Sequence, residues 1–221
     1  RPQGRRLRDP PEMNVTEPAA PRDGQLAWSP VKIGWLSGSS RPRSNALSPE
    51  QQAFVESLPG PSGWKLRTNF PYLPQTSTYR TTALPIASVV NVARFAAASL
   101  PLHRARTVRA WRSLRESCDL LLLITSSCGS QIASALERRA PGTTPLRVLS
   151  LGPVDWGAKG LEQTRLRGSR DPVRTPVARR TQRAQRAEFV IPGLGHMDYA
   201  GSPRVAEFAR EWTLRELEGR L

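Results

Sequence analysis

The stretch Asp119-Leu-Leu-Leu-Leu-Ile-Thr-Ser-Ser-Cys-Gly-Ser-Gln131 decides the fold. Its first half is a continuous apolar run of strand length, which is typical of a parallel strand covered on both faces. Its second half is a cluster of small residues that leads into the segment 131–139, which we predict to be helical. A buried strand, a tight turn and a helix therefore follow one another directly.

The same alternation of strand and helix extends outward in both directions along the chain. Strands are predicted at 31–36, 64–70, 119–124, 146–151, 161–167 and 187–191, and helices from 48 and over 84–100, 107–116, 131–139, 172–186 and 203–218. This alternation predicts an α/β fold, with a mostly parallel central sheet of about six strands and helices on both faces. In such sheets, ligands bind at the carboxyl ends of strands, near the point where the strand order reverses.

The chain divides into a tail and one domain. Residues 1–29 are basic and rich in proline with almost no apolar pattern, so we expect a disordered tail. Residues 30–221 are long enough for a single domain with its own core. Within that domain, we expect an irregular loop at 71–83, and any lid or pocket-shaping segment is expected within 71–103.

Composition excludes several classes of protein. The 221 residues carry a formal charge of +15, but only three of the 33 basic residues are lysines and the arginines are dispersed, so no specific nucleic-acid binding is expected. With two cysteines and two histidines, neither a disulfide scaffold nor a zinc site of the Cys/His type is expected. No apolar run is long enough for a membrane span, and no secretory signal is recognisable, so the expected location is cytoplasmic.

The turn after the Leu-rich strand carries the first candidate site residue. Thr125-Ser-Ser-Cys-Gly129 resembles the nucleophile elbow G-x-S-x-G of the α/β-hydrolase superfamily, with Thr125 in place of the first glycine. The resemblance puts Ser127 at the nucleophile and lets the backbone N–H of Cys128 face an oxyanion. Two alternatives remain open: a plain strand-to-helix turn, and a frame in which Cys128 is the nucleophile.

The loop after the penultimate predicted strand carries the candidate acid. Gly168-Ser-Arg-Asp-Pro-Val173 is similar to the setting of the triad acid in this superfamily, and the resemblance assigns that role to Asp171. An ordinary Asp-Pro turn is the alternative interpretation of these residues. Asp155, just after the preceding strand, is the alternative acid.

The loop after the last predicted strand carries the candidate base. Ile191-Pro-Gly-Leu-Gly-His-Met-Asp-Tyr199 contains one of the two histidines, His196, beside a glycine that lets the backbone bend. The resemblance makes His196 the catalytic base. The other histidine, His103, has no candidate partner nearby in the sequence and is interpreted as a surface residue.

The three candidates occur in the order Ser, Asp, His, which is the order of the α/β-hydrolase superfamily. The resemblance implies a small, cap-poor serine esterase or lipase-like enzyme that cleaves a carboxylic ester or thioester through an acyl-enzyme. It also implies that the backbone N–H of Ser39 is a second oxyanion donor, although Ser37 replaces the family's usual histidine in that loop. No metal or cofactor is needed, and a small-molecule ester is the expected partner.

Two alternative functions remain open. One is an inactive binding protein of the same fold, suggested by the departures from the family pattern at Ser37, Thr125 and Ser130. The other is a basic nucleic-acid-binding protein.

Overall fold

The computed structural model describes residues 26–38, 45–70, 79, 93, 96, 105–155, 161–173 and 185–220. These residues form six strands and four α-helices, with one short 3₁₀ helix at Ser62–Trp64. In chain order the elements are β1 (Ser29–Leu36), α1 (Pro49–Ser57), β2 (Lys65–Asn69), α2 (Ala105–Glu116), β3 (Cys118–Ser126), α3 (Gly129–Arg139), β4 (Leu146–Leu151), β5 (Gln163–Gly168), β6 (Gln185–Ile191) and α4 (Pro203–Glu216).

The six strands form one sheet in the order β2-β1-β3-β4-β5-β6, and every neighbouring pair is parallel. This confirms the predicted α/β class and the predicted number of strands. From β1 the chain first adds β2 on one side and then returns to add β3 on the other. The strand order therefore reverses between β1 and β3, and their carboxyl ends mark the expected ligand-binding edge.

Helices cover both faces of the sheet. On one face, α1 and α4 pack through Phe54, Val205 and Trp212 against strand residues that include Trp35 and Leu122. On the other face, α2 and α3 pack against the alternate residues of the same strands, Leu121 and Leu123 among them, through a set that includes Trp111, Leu114, Ile132 and Leu136. The Leu-rich run of β3 thus supplies both cores, which is why it has no polar alternation.

Local signals fix the ends of several elements. Ser48 caps α1 through a reciprocal capping box with Gln51, and Pro49 occupies the first helical position, as predicted. The helix predicted at 131–139 begins two residues earlier, at Gly129. The α4 helix ends before Gly219, whose φ of 80° only glycine adopts easily.

Other boundaries differ from the prediction or lie outside the described residues. Strand β1 begins at Ser29, two residues before the predicted start at 31, because Ser29 already pairs with Cys118 in the sheet. The helix predicted over 172–186 is wrong at Pro172 and Val173, which are not helical, and at Gln185 and Arg186, which begin β6. Residues 1–25, most of the proposed lid 71–103, and 174–184 lie outside the described residues. No helix in the described part of the chain is long and apolar enough to cross a bilayer.

Candidate active site

Ser127 lies on a strained turn at the carboxyl end of β3. It has a φ of 51°, the left-handed region that a residue with a β-carbon rarely adopts, at a cost of about 1–3 kcal/mol. The turn is held by the chain that continues from β4, because the Ser127 N–H donates to the Leu151 carbonyl at 3.2 Å and the Val154 N–H donates to the Ser127 carbonyl at 2.9 Å. The strain is therefore held in place by two backbone hydrogen bonds.

Two of the departures from the G-x-S-x-G pattern have structural partners. Thr125 stands where the first glycine is usual, and its Oγ1 lies 2.8 Å from the hydroxyl of Ser150 on the neighbouring strand. Ser130, in the first turn of α3, is fully buried and donates to Oδ2 of Asp155 at 2.8 Å. Both side chains thus point into the packed protein and leave the turn at Ser127 unobstructed.

His196 lies on the loop after β6, and its ring reaches across the end of the sheet to Ser127. The Nε2 atom of His196 is 3.3 Å from Oγ of Ser127. When the imidazole proton is on Nδ1, Nε2 is an acceptor for the serine hydroxyl. The structure therefore brings the predicted base within hydrogen-bonding distance of the predicted nucleophile.

Asp171 lies on the loop after β5 and faces the other side of the same imidazole. Its carboxylate oxygens are 3.0 and 2.9 Å from Nδ1 of His196, and the Val173 N–H donates to Oδ1 at 2.9 Å. Burial alone would raise the pKa of Asp171, but hydrogen bonds from Tyr199, His196 and Val173 outweigh it and hold that pKa below its usual range. The carboxylate is thus kept charged beside the imidazole.

Asp155, the alternative acid, occupies a different environment. It is 1% exposed, and its carboxylate accepts from Ser130 and from Nη1 of Arg165, at 2.8 and 3.3 Å. Arg165 is itself fully buried on β5. These contacts engage the Asp155 carboxylate beneath the start of α3, whereas Asp171 faces His196.

The alternative nucleophile, Cys128, lies next to Ser127 but its side chain is directed elsewhere. It is 3% exposed and belongs to the core cluster between the sheet, α2 and α3. Cys128 is also the N-cap residue of α3, so its backbone stands at the positive end of the helix dipole. That position is the one required of an oxyanion donor.

The loop after β1, which was expected to supply the second oxyanion donor, is described only in part. Ser39 lies outside the described residues, as does His103. Ser37 is anchored by Asn69 at the end of β2, since its N–H donates to Asn69 Oδ1 at 2.9 Å and the Asn69 amide donates back to the Ser37 hydroxyl at 3.2 Å. Asn69 is a positioning residue for this loop that the sequence pattern of β2 did not single out.

Tyr199 is the second residue that sequence reasoning missed. It is 3% exposed, and its hydroxyl donates to Oδ2 of Asp171 at 2.7 Å. The one sequence feature that could have pointed to Tyr199 is its position three residues after His196, on the same loop. No property of a lone tyrosine in a sequence predicts a contact to an aspartate 28 positions away.

A cavity of about 230 Å³ opens next to Asp171, with Gly152, Val173 and Val190 among its walls. Its wall also contains Arg167 and Glu188, whose side chains form an ion pair at 2.8 Å. The cavity therefore adjoins the acid rather than the nucleophile. Within the described ranges, no group of three or more His, Cys, Asp or Glu side chains could hold a metal ion.

Comparison with known proteins gives structural neighbours only. No family model matches the chain, and no curated protein is significantly similar to it in sequence. The crystal structure of TT1662 from Thermus thermophilus is similar at 17% identity, covering 88% of this chain and 92% of that one, with a TM-score of 0.51. At this identity the similarity shows the fold and nothing finer.

Two other solved structures are similar at lower TM-scores. An α/β serine hydrolase homologue from Coxiella burnetii is 13% identical over 86% of each chain, with a TM-score of 0.47. The esterase Pf2001 of Pyrococcus furiosus is 13% identical over 86% of this chain and 82% of its own, with a TM-score of 0.43. The chain thus has a six-stranded, all-parallel α/β fold, and it shares that fold with TT1662.

Proposed function

We propose that the protein is a serine hydrolase that cleaves a carboxylic ester or thioester through an acyl-enzyme. The observation that carries this proposal is the continuous line from Ser127 Oγ through His196 to the Asp171 carboxylate, with distances of 3.3 and 2.9 Å. The strained φ of 51° at Ser127 supports it further, because a strained residue persists only where the surrounding structure holds it in place.

In the proposed reaction, Ser127 Oγ attacks the ester carbonyl carbon while His196 Nε2 takes the hydroxyl proton. The tetrahedral oxyanion accepts hydrogen bonds from the backbone N–H of Cys128 and, as we propose, of Ser39. His196 then gives its proton to the departing alcohol oxygen, which leaves an acyl-enzyme. Water repeats the sequence in the second half, so that the acid is released and Ser127 regains its proton.

Asp171 has two tasks in this scheme. Its hydrogen bond to Nδ1 keeps the imidazole in the tautomer whose Nε2 accepts the serine proton, and its charge stabilises the imidazolium that forms. The low pKa of Asp171 keeps the carboxylate ionised throughout the physiological range. The same geometry disfavours Asp155 in this role, because its carboxylate is engaged by Ser130 and Arg165.

An inactive binding protein of the same fold is the alternative to an enzyme. That alternative depended on departures from the family pattern at Ser37, Thr125 and Ser130. The side chains of Thr125 and Ser130 bond to Ser150 and Asp155, so they are compatible with a working elbow. They therefore give no specific support to an inactive protein.

The test is covalent labelling by a fluorophosphonate probe together with turnover of short p-nitrophenyl esters and thioesters. We expect labelling of the wild-type protein and its loss in Ser127→Ala, with turnover reduced by at least about a thousandfold. Cys128→Ala is the matched control, since it removes the neighbouring nucleophilic atom. Folded wild-type protein that neither labels nor turns over these esters would contradict the proposal, and activity lost only in Cys128→Ala would transfer the role to the cysteine.

A further inference from the structure

The hydroxyl of Tyr199 joins the last residue of β5, Gly168, to the carboxylate of Asp171. It accepts a hydrogen bond from the N–H of Gly168 at 2.8 Å and donates its own proton to Oδ2 of Asp171 at 2.7 Å. Burial and the neighbouring carboxylate both raise the pKa of Tyr199 above its usual range, so the phenol keeps its proton and remains a donor. The direction of both hydrogen bonds is therefore fixed.

The ring of Tyr199 is held in one place by the loops around it. A β-carbon on Gly152, just after β4, would lie 2.4 Å from Cε2 of the tyrosine, so only glycine leaves room for the ring. Gly152 also has a φ of 51°. The imidazole of His196 meets the ring edge-on, with centroids 6.4 Å apart and planes at 88°. The loops after β4, β5 and β6 thus converge on this one side chain.

Three donors surround the Asp171 carboxylate, and each restricts it in a different way. Val173 N–H holds Oδ1 from within the same loop, His196 approaches both oxygens, and Tyr199 holds Oδ2 from the loop after β6. Without the tyrosine, of these three donors only the Val173 N–H would hold the carboxylate independently of His196. The orientation of the acid toward His196 would then be less well defined.

We propose that Tyr199 is a positioning residue of the triad, which fixes the Asp171 carboxylate in the orientation from which it accepts the hydrogen bond of His196 Nδ1–H. This inference rests on the proposed function. Tyr199 touches neither the nucleophile nor a reacting atom, so it acts through Asp171. Because His196 and Tyr199 share one short loop, the same segment carries the base and fixes the acid that orients it.

The first test measures the contact itself and needs no activity. In protein labelled with ¹³C at the aspartate carboxyl carbons, the resonance of Asp171 is the one lost in Asp171→Asn, and its titration gives the pKa. Tyr199→Phe keeps the ring against Gly152 and removes only the hydroxyl, so we expect the Asp171 midpoint to rise. The other ionisable groups facing this pair are the titratable imidazole of His196 and, toward the tyrosine, the charged Arg167.

The matched control is Thr213→Val, which also deletes a fully buried hydroxyl, on α4 and bonded to the Ala209 carbonyl. It should leave the Asp171 midpoint unchanged. If Tyr199→Phe does not fold, site-specific 3-fluorotyrosine at 199 replaces it, because a more acidic phenol is a stronger donor and should move the midpoint down. An Asp171 midpoint that stays at the wild-type value would overturn the proposal.

The second test asks whether the contact serves catalysis. We expect Tyr199→Phe to lower kcat about tenfold with KM unchanged, since one hydrogen bond to a charged group is lost and substrate contacts are kept. In an Asp171→Ala background the same change should alter kcat by less than about twofold, because the group it acts through is absent. A full tenfold effect in that background would overturn the positioning role. Absence of probe labelling in wild-type protein overturns the proposed function instead, so the two failures are distinguishable.

Discussion

A β-carbon placed on Gly129 would lie 2.0 Å from the carbonyl oxygen of Leu36. Helix α3 therefore begins in direct contact with the end of β1, at the point where the strand order reverses. A clash with backbone has no side-chain movement to relieve it. The close approach brings the N-terminus of α3, which follows the candidate nucleophile, next to the loop at Ser37.

We predict that Gly129→Ala destabilises the protein by about 3 kcal/mol or more, because overpacking against fixed backbone must displace α3 or β1. The measurement is the free energy of unfolding from urea titration. Gly63→Ala is the control, since an added β-carbon there meets nothing within 4 Å. Equal stability of the two variants would show that α3 and β1 do not approach this closely.

The strain at Ser127 gives a second prediction. Because its φ is 51°, Ser127→Gly should be more stable than Ser127→Ala by about 1 kcal/mol, since glycine adopts this conformation without a steric penalty. Ser134, inside helix α3, should show the opposite order, with the alanine variant more stable than the glycine variant by about 1 kcal/mol. The same order at both positions in urea unfolding would contradict a strained turn at Ser127.

The fold could be predicted because its local signals agree with one another. The apolar run of β3 needs cover on both faces, and the helical segments on either side of it supply that cover, so an α/β sheet followed from the pattern. The helix start at Ser48 was readable because its capping box is local. The start of β6 at Gln185 was placed two residues too late, at 187, because the pairing of Gln185 with β5 is not visible in the sequence itself.

Only some residues of the candidate site could be predicted from the sequence. Ser127, Asp171 and His196 could be chosen because each follows a strand, and because the segments around them resemble motifs of the α/β-hydrolase superfamily. Asn69 and Tyr199 could not, because their roles depend on partners that only the folded sheet brings near. The burial of Arg165 could not be predicted either, because a charged residue within β5 is buried only where it has a partner, which here is Asp155.

That buried pair provides a test of which aspartate is the acid. Asp155→Asn should destabilise the protein by about 3 kcal/mol or more, since it leaves the Arg165 charge buried with a weaker partner. Under conditions in which Asp155→Asn is folded, it should react with the fluorophosphonate probe at the wild-type rate. Asp171→Asn should lower that rate by at least about a hundredfold.

The control for the buried pair is Glu56→Gln, which removes the charge opposite Arg67 in an ion pair whose side chains are 33% and 65% exposed, and it should change stability by less than about 1 kcal/mol. The comparison separates a structural carboxylate from a catalytic one. If folded Asp155→Asn lost labelling while folded Asp171→Asn kept it, Asp155 and not Asp171 would be the acid of the triad.

The pKa of Asp171 gives a prediction for stability against pH. Its folded-state pKa lies below the unfolded value of about 3.9, so the unfolded chain binds the proton first as the pH falls. The stabilisation from this carboxylate is therefore fully present above about pH 5 and is lost as the pH falls through the folded-state value. We expect the difference in free energy of unfolding between wild type and Asp171→Asn to shrink below about pH 4.

Thr213→Val, which removes no titrating group, should keep a constant difference from wild type across the same range, measured by urea titration between about pH 2.5 and 7. A wild-type advantage over Asp171→Asn that grows on acidification would mean that the folded protein binds the proton more tightly than the unfolded chain, contrary to a carboxylate held by three donors.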